Sequence, residues 1–261
     1  MAERLVVIGG VAAGMSAAAK AKRTRRDLEV VVYEKGGHIS YAACGLPYFL
    51  AGDVPHIEEL IVRTPEQMAR QGVEVKVHHE VTSIDPGART VWVHDLERDR
   101  AFEQPYDRLV IATGARPSCP PLPGCELGGI FGLRSLESGL AIQRYLREEK
   151  PKSAVIVGGG YIGVEMAETL RRLGLEVTIL VRSGKVLRAT LDDDMRELVH
   201  AELSRHGVEI AEGPAVGFEG DDDVESVQAV GEEYACDTVI LGLGAEPNVG
   251  LARAAGVALG P

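Results

Sequence analysis

Apolar and polar positions follow two different periods along the chain. Largely apolar runs occupy residues 4–9, 28–33, 109–112, 153–157, 176–181 and 238–241, and such runs are typical of parallel strands buried on both faces. Helix-compatible stretches follow several of them, namely the alanine-rich residues 15–22, residues 164–173 and the polar residues 192–206. Strands that alternate with helices predict an α/β fold.

A second pattern predicts a smaller β element. Residues 73–78 and 90–94 alternate apolar with polar side chains on either side of the turn sequence Asp85-Pro86-Gly87. Alternation predicts half-buried strands, and the turn between them predicts antiparallel pairing. The proline-rich residues 117–124 predict a linker and a candidate domain boundary.

The first strand leads into a turn of small residues. Gly9 and Gly14 stand in the spacing of a dinucleotide-binding turn, with Gly10 between them, although Val11 replaces the usual middle glycine. Small residues let the backbone approach a pyrophosphate, and the following helix N-terminus attracts its charge. Glu34 ends the next strand, where an acid accepts ribose hydroxyl groups.

The second half of the chain repeats this arrangement with a complete motif. Gly158, Gly160 and Gly163 follow a strand and precede a helix, and Gly158 lies 149 positions after Gly9. The strand after that helix is followed by Arg182 and Arg188 where an acid is usual. Arginine suits a 2′-phosphate, which favours NADPH over NADH; the alternative is that both arginines are solvated surface charges.

Composition excludes several classes of protein. The chain has 261 residues, of which 45% are hydrophobic and 26% charged, so it can bury a sizeable core. A net charge of -11 argues against nucleic acid or a membrane surface as a partner. The N-terminal residues lack the features of a leader, so we expect a cytoplasmic protein.

The four cysteines are scattered without a CxxC pair or metal-ligand spacing. Cys44 lies in residues 39–48 among small residues and a Gly-Leu-Pro turn, so its sulfur can lie close against a flat ring. We expect Cys119 and Cys125 to be bystanders without a disulfide, as is usual in a reducing compartment. The alternative for Cys44 is a buried structural thiol.

The chain resembles the flavin-dependent pyridine nucleotide-disulfide oxidoreductases. The resemblance is carried by the two glycine turns together with residues 112–114, 242–248 and 40–48. Within that family the chain resembles the single-cysteine branch of coenzyme A disulfide reductases, NADH oxidases and NADH peroxidases. The resemblance covers nearly the whole chain and implies two Rossmann-like dinucleotide-binding domains, each with a small antiparallel β element. It implies an FAD-binding domain from 1–117, an NAD(P)H-binding domain at 118–242 and a truncated return to the FAD domain at 243–261.

The resemblance also implies a path for electrons. They pass from NADPH, or NADH, through FAD to Cys44, which reduces coenzyme A disulfide or a related disulfide or persulfide. Tyr161 covers the flavin until nicotinamide displaces it, and Glu165 lies near the nicotinamide. Cations for a coenzyme A groove are Lys20, Arg23 and Arg63, although basic residues late in a helix also complement its dipole. The cofactor-binding positions are Gly9, Gly10, Ala12, Ala13, Gly14, Glu34, Lys35, Ser40, Val81, Thr113, Gly114, Gly158, Gly160, Tyr161, Ile162, Gly163, Glu165, Arg182, Arg188 and Gly244.

Two positions bear on which members of this single-cysteine branch the chain resembles most. Oxidases and peroxidases of this family usually carry a histidine where this chain has Ala12, so an NADH oxidase or peroxidase is the weaker alternative. Many relatives have asparagine where this chain has Ala43, which leaves the substrate open. Full-length relatives continue into a dimerisation domain and are expected to be homodimers. We therefore expect a fragment, and a nucleotide-binding module without turnover is the remaining alternative.

Overall fold

The computed structural model describes residues 2–119 and 121–260, so Pro120 of the predicted linker lies outside the described residues. Seven α-helices are described: α1 (Ala12–Thr24), α2 (Leu46–Ala51), α3 (Pro65–Ala69), α4 (Leu136–Glu148), α5 (Tyr161–Arg172), α6 (Asp193–Arg205) and α7 (Gly250–Ala254). Short 3₁₀ turns span Ala43–Gly45 and Ile57–Leu60.

The described residues also form seventeen strands: β1 (Arg4–Ile8), β2 (Glu29–Tyr33), β3 (Val73–Lys76), β4 (His79–Asp85), β5 (Thr90–Asp95), β6 (Arg100–Pro105), β7 (Arg108–Ile111), β8 (Ala115–Pro117), β9 (Ile130–Phe131), β10 (Ser153–Val157), β11 (Glu176–Val181), β12 (Val208–Glu212), β13 (Ala215–Glu219), β14 (Ser226–Ala229), β15 (Glu232–Ala235), β16 (Thr238–Leu241) and β17 (Ala245–Pro247).

Two parallel sheets form the centres of the fold, as the apolar runs predict. The first has the order β3-β2-β1-β7 and the second the order β12-β11-β10-β16-β9. Each sheet places its glycine turn directly after a central strand, β1 or β10. The predicted α/β class with two dinucleotide-binding folds is therefore confirmed.

Each parallel sheet is accompanied by a three-stranded antiparallel sheet, β4-β5-β6 or β13-β14-β15. The prediction that residues 73–78 form part of such a sheet was wrong. Val73–Lys76 is β3, which pairs in parallel with β2 at the edge of the first sheet, and the partner of β5 begins only at His79. Alternation marks a strand with one buried face, and an edge strand of a parallel sheet meets that description as well.

The chain divides into two compact units, each made of segments that are not continuous in sequence. Unit 1 comprises Met1–Ala42, Glu58–Arg116 and Pro247–Pro261, and unit 2 comprises Ala43–Ile57 and Pro117–Glu246. The segment that carries Cys44 thus belongs to the unit with the second glycine turn. Which nucleotide each unit binds stays a prediction.

The core of unit 1 explains why β1 and β2 are apolar after their first residues, Arg4 and Glu29. On one face of the sheet, Val7 and Val32 pack with Met15 and Ala18 of α1. On the other face, alternate residues of the same strands, Val6 among them, pack against β4 and β5. Both faces of β1 are therefore covered from Leu5 to Ile8, and no polar side chain can be placed there without burial. In unit 2, the strands β10, β11 and β16 pack in the same way against the sheet β13-β14-β15.

One carboxylate is buried in the antiparallel sheet of unit 1. Asp95 is only 5% exposed, and its Oδ1 accepts hydrogen bonds from the backbone N–H groups of Glu97 and Arg98, both at 3.1 Å. Burial alone would raise the pKa of Asp95. These two bonds, together with the charges of His79 and Arg98, outweigh burial and hold the pKa below its ordinary value.

The expectation about the linker cysteines was wrong, because a disulfide joins Cys119 to Cys125. Residues 122–125 form a turn, in which the N–H of Cys125 donates to the carbonyl of Leu122 at 3.3 Å and Gly124 adopts a positive φ of 76°. Cys236 is a buried free thiol, whereas Cys44 is free and exposed. Within the described residues, every helix is too short or too polar to cross a bilayer.

Candidate dinucleotide and thiol sites

The first glycine turn is closed by backbone contacts that only glycine permits. A Cβ atom on Gly14 would lie 1.8 Å from the carbonyl oxygen of Gly9, and one on Gly9 would lie 2.2 Å from that of Ala112. Gly9 also has a φ of 101°, which side-chain-bearing residues rarely adopt. The turn therefore holds β1, β7 and α1 at close approach.

This turn presents the N-terminus of α1 to a ligand. The first turn of α1 contains no acidic residue, and Val11 at its N-cap makes no side-chain capping bond. The first N–H groups of a helix have no partner within it, so they can bind an anion, including those of Ala12 and Ala13. The glycine turn and the N-terminus of α1 together form a cradle that fits the pyrophosphate of a dinucleotide.

Glu34 closes the edge of the same cradle. Its Oε2 accepts a hydrogen bond from the N–H of Gly10 at 2.6 Å, and its Oε1 accepts one from Gly36 at 2.7 Å. A carboxylate has further lone pairs, so it can also accept ribose hydroxyl groups. Ser40, four residues before Cys44, donates its N–H to the carbonyl of Gly10 at 2.9 Å, and it does so with a φ of 47°.

The second turn repeats this construction. A Cβ atom on Gly163 would lie 2.2 Å from the carbonyl oxygen of Gly158, and one on Gly158 would lie 2.5 Å from that of Gly242. Gly160 is the N-cap of α5, whose first turn also lacks an acid. Tyr161 and Ile162 open the helix, so their N–H groups lie in the anion-binding turn.

The duplication shows which residue of unit 2 stands in the place of Glu34. Gly9 donates its N–H to the carbonyl of Tyr33 at 2.8 Å, and Gly158 donates to that of Leu180 at 2.9 Å. The residues that follow, Glu34 and Val181, are therefore equivalent. The side chains of both residues pack against the middle of the glycine turn. A Cβ added to Gly10 would lie 2.9 Å from the side chain of Glu34, and one added to Gly159 would lie 2.9 Å from that of Val181.

This equivalence was missed in the sequence. Gly158 follows Gly9 by 149 positions, but Val181 follows Glu34 by only 147, so a fixed offset points to the wrong residue. The acid of the first site is replaced by a valine in the second, and Arg182 comes next. Arg182 and Arg188 are both exposed, as cations that meet a phosphate must be.

Several other predicted positions lie near the ends of the strands. Thr113 and Asn248 close unit 1 reciprocally: the Thr113 hydroxyl donates to the carbonyl of Asn248 at 2.7 Å, and the Asn248 amide donates to that of Thr113 at 2.8 Å. The carbonyl of Gly114 accepts from the N–H of Asn248 at 2.9 Å. Gly244, before β17, has a φ of 94°.

Two predicted residues have other contacts in the structure. The Nζ of Lys35 pairs with the carboxylate of Glu80 at 2.8 Å. The side chain of Val81 is buried in the apolar core of unit 1. A nucleotide contact by Val81 would therefore come from its backbone. Both assignments stay predictions.

Cys44 is displayed on a short, well-anchored segment. It lies in the 3₁₀ turn Ala43–Gly45, directly before α2, and it is exposed. The next residues face the other way: Leu46, Pro47, Phe49 and Leu50 are all buried. Leu46 packs so closely on α4 that a Cβ added to Gly139 would lie 2.7 Å from its Cδ2 atom.

The same segment is bound to α5 by polar contacts that the sequence did not reveal. The buried hydroxyl of Thr169 donates to the carbonyl of Pro47 at 3.2 Å. Arg172 binds the carboxylate of Asp53 through both terminal nitrogens, at 2.5 and 2.6 Å. The exposed thiol is therefore carried by an element fixed to the helix of the second glycine turn.

Two predicted residues lie at the N-terminal end of α5. Tyr161 is 60% exposed. Burial and the neighbouring charge of Glu168 raise the pKa of Glu165 above its ordinary value. An exposed aromatic ring and a carboxyl that holds its proton more tightly fit the roles assigned to them, which stay predictions.

The predicted substrate cations are all exposed. Lys20 and Arg23 lie on the C-terminal half of α1, and Arg63 lies before α3 with its Nη1 atom donating to the carbonyl of Val62 at 2.8 Å. All three belong to unit 1, whereas Cys44 belongs to unit 2. The coenzyme A groove stays a prediction.

Residues 3–261 match the pyridine nucleotide-disulphide oxidoreductase family, and the chain belongs to it. The NAD(P)H sulfur oxidoreductase (CoA-dependent) of Pyrococcus abyssi is 37% identical over 257 residues, which are 98% of this chain and 56% of that protein. The NADH oxidase of Methanocaldococcus jannaschii is 36% identical over 259 residues, which are 98% of this chain and 58% of that protein. The chain thus spans little more than half the length of these curated relatives.

Solved structures show the same relationship. Reduced Bacillus anthracis CoADR-RHD matches with a TM-score of 0.95 and 34% identity, over 100% of this chain and 47% of that chain. An engineered NADPH oxidase bound to NADPH, made from the Lactobacillus brevis NADH oxidase, matches with a TM-score of 0.93 and 29% identity, over 99% of this chain and 57% of that chain. Its replacements include an aspartate to alanine, the next residue to arginine and the next to serine.

Proposed function

We propose that this chain is the nucleotide-binding and thiol-bearing part of a reductase of small-molecule disulfides. Unit 1 binds FAD, unit 2 binds NADPH, and Cys44 is the thiol that exchanges with coenzyme A disulfide or a related persulfide. The observation that carries the proposal is the exposed Cys44, held on a segment that is anchored to the helix of the second dinucleotide turn.

The residues of both cradles fit these cofactors. Gly9 and Gly14 in one unit, and Gly158 and Gly163 in the other, leave spaces that a single Cβ atom would fill. Each space adjoins a helix N-terminus with no acid in its first turn. The flavin, when bound, supplies two-electron chemistry between a nicotinamide and a thiol.

The chemistry at Cys44 is thiol–disulfide exchange. Its thiolate attacks one sulfur of the substrate disulfide, forms a mixed disulfide with one half and releases the other half as a thiolate. Two electrons from NADPH then break the mixed disulfide, and one proton accompanies release of the second thiol. Cys44 is left as a thiolate for the next cycle. The chain needs no second cysteine beside it for this sequence.

The nucleotide preference follows from the position equivalent to Glu34. An acid there accepts ribose hydroxyl groups but repels a 2′-phosphate, whereas Val181 does neither. The sequence Val181-Arg182-Ser183 also corresponds in pattern to the alanine, arginine and serine of the engineered oxidase that binds NADPH. Arg182 can pair with a phosphate through charge and two hydrogen bonds. Together these features favour NADPH over NADH.

An anaerobic titration of the purified chain tests the proposal. The chain, saturated with FAD, is mixed with one equivalent of NADPH and then with coenzyme A disulfide. We expect loss of the visible flavin band, its return with the disulfide, and release of free thiol. The Cys44→Ser variant should still bleach with NADPH but release no thiol. A chain that retains no FAD and binds no NADPH would refute the proposal, whereas one that binds both nucleotides but releases no thiol would favour a nucleotide-binding module without turnover.

The NADH oxidase relative makes oxygen reduction the second candidate. The chain has Ala12, exposed at the start of α1, where oxidases of this family usually carry histidine. An alanine cannot donate a proton or hydrogen-bond to peroxide, so we expect oxygen consumption to be slow. NADPH oxidation that is faster with air than with coenzyme A disulfide, and is lost in Cys44→Ser, would favour the oxidase.

A further inference from the structure

The basic loop after β11 is pinned at its centre to the second glycine turn. This β11–α6 loop comprises residues 182–192 and carries three exposed cations, Arg182, Lys185 and Arg188. Leu187 adopts a φ of 50° and donates its N–H to the carbonyl of Gly159 at 2.6 Å. Val186 is only 1% exposed beside it. The middle of the loop is therefore fixed by backbone and apolar contacts.

The second half of the loop is held by Arg196 as well as by backbone bonds to Leu187. Arg196 lies in the first turns of α6, and its side chain is only 13% exposed. Its Nη1 donates to the carbonyl of Leu191 at 2.6 Å and reaches that of Arg188 at 3.5 Å. Its Nη2 pairs with the carboxylate of Asp193. This guanidinium thus binds the backbone of the residue that carries one exposed cation.

The charges around this loop oppose a single ordered conformation. Three cations within seven residues repel one another, and an exposed segment can reduce that repulsion by spreading apart. Asp193 offsets part of it, because it accepts from the Nζ of Lys185 at 3.2 Å while it pairs with Arg196. The carbonyl bonds of Arg196 fix the backbone at residues 188 and 191, and they add to the bonds that Thr190 and Leu191 donate to the carbonyl of Leu187 at 3.0 and 3.1 Å.

We propose that Arg196 is a positioning residue that holds the β11–α6 loop in the geometry that receives the 2′-phosphate of NADPH. It does so through the carbonyls of Arg188 and Leu191, without touching the nucleotide. The proposal rests on the assignment of NADPH to unit 2. Without the bonds from Arg196, the loop cations that face the 2′-phosphate lose their fixed positions. The glycine turn is unchanged, and it binds the pyrophosphate of NADH as well as that of NADPH.

Equilibrium dissociation constants for NADPH and NADH, measured on the whole chain by titration calorimetry, test this role. In Arg196→Gln we expect the constant for NADPH to rise about tenfold, the scale of a charged hydrogen bond, and the constant for NADH to change less than about twofold. Arg205→Gln is the matched control, because Arg205 lies on the same helix and its contacts in the described structure are the nearby Glu202 and His206. It should change neither constant.

The outcomes separate the two proposals. Equal weakening of both nucleotides in Arg196→Gln would mean a general structural role and would overturn the inference, as would an unchanged constant for NADPH. A wild-type chain that binds NADH as tightly as NADPH would overturn the nucleotide assignment itself. If Arg196→Gln fails to fold, Arg196→Lys keeps the charge but cannot reach two carbonyls and Asp193 together. It should show the same selective loss for NADPH.

Discussion

Substitution of Gly163 by alanine tests the packing on which the second dinucleotide site depends. A Cβ atom there would lie 2.2 Å from the carbonyl oxygen of Gly158, whereas carbon and oxygen normally approach no closer than about 3.3 Å. The turn would have to move by roughly 1 Å to accommodate it. That movement also threatens the bond from the N–H of Gly158 to the carbonyl of Leu180.

The expected magnitude combines three effects. Overpacking typically costs about 1–3 kcal/mol, and a weakened backbone bond costs about 1 kcal/mol more. Alanine in place of glycine within a helix returns about 1 kcal/mol. We therefore expect Gly163→Ala to lower the free energy of unfolding by about 1–3 kcal/mol, with a fall in Tm of about 2–4 °C per kcal/mol.

Urea unfolding followed by circular dichroism measures this loss, and Gly160→Ala is the control. A Cβ on Gly160 would lie 3.8 Å from its nearest neighbour, and the φ of Gly160 is -81°, so alanine fits. We expect its stability to change by about 0.5 kcal/mol or less, while its affinity for NADPH falls because the backbone can no longer approach the pyrophosphate. If Gly163→Ala proves as stable as Gly160→Ala, the close approach is not required for folding.

Three further predictions follow from other contacts. The pKa of Asp95 is lower in the folded chain than in the unfolded chain, so the ionised carboxylate stabilises the fold above the unfolded pKa, and this stabilisation is lost as the pH falls through the folded pKa. Asp95→Asn should therefore flatten the fall of Tm at acid pH. A pH profile of Tm equal to that of the wild type would contradict this. Arg172→Ala should cost about 1 kcal/mol or less, because its pair with Asp53 is exposed, yet it should speed deuterium exchange in α2; equal exchange would show that the pair does not hold α2. Without reductant, Cys119 and Cys125 should resist alkylation in the unfolded chain while Cys44 reacts, and peptide mass spectrometry showing both alkylated would refute the pairing.

The sequence was sufficient to predict the centres of both units. Buried parallel strands need apolar residues on both faces, and β1, β2, β10 and β11 show this directly. The glycine spacing is also visible without a structure, because each glycine answers a local steric demand. By contrast, the pairing partner of residues 73–76 could not be predicted, since one buried face is common to parallel edge strands and antiparallel strands.

The parts of the site that depend on distant residues could not be predicted. Val181 was overlooked as the counterpart of Glu34 because the helix after the glycine turn and the loop before the next strand are each one residue shorter in the second half. The contacts of Thr169 and Arg172 with residues 47 and 53 join positions more than a hundred residues apart. No local pattern marks either side chain, so only the folded chain reveals that the Cys44 segment is bound to α5.

That attachment determines how the protein can be divided. A boundary drawn at the linker would suggest that residues 117–246 can be expressed alone as a nicotinamide-binding module. Such a product would leave α2 behind, with its buried Leu46, Phe49 and Leu50, and expose the faces of α4 and α5 against which α2 packs. The isolated module would therefore tend to aggregate unless a peptide of residues 43–57 were supplied to complete it.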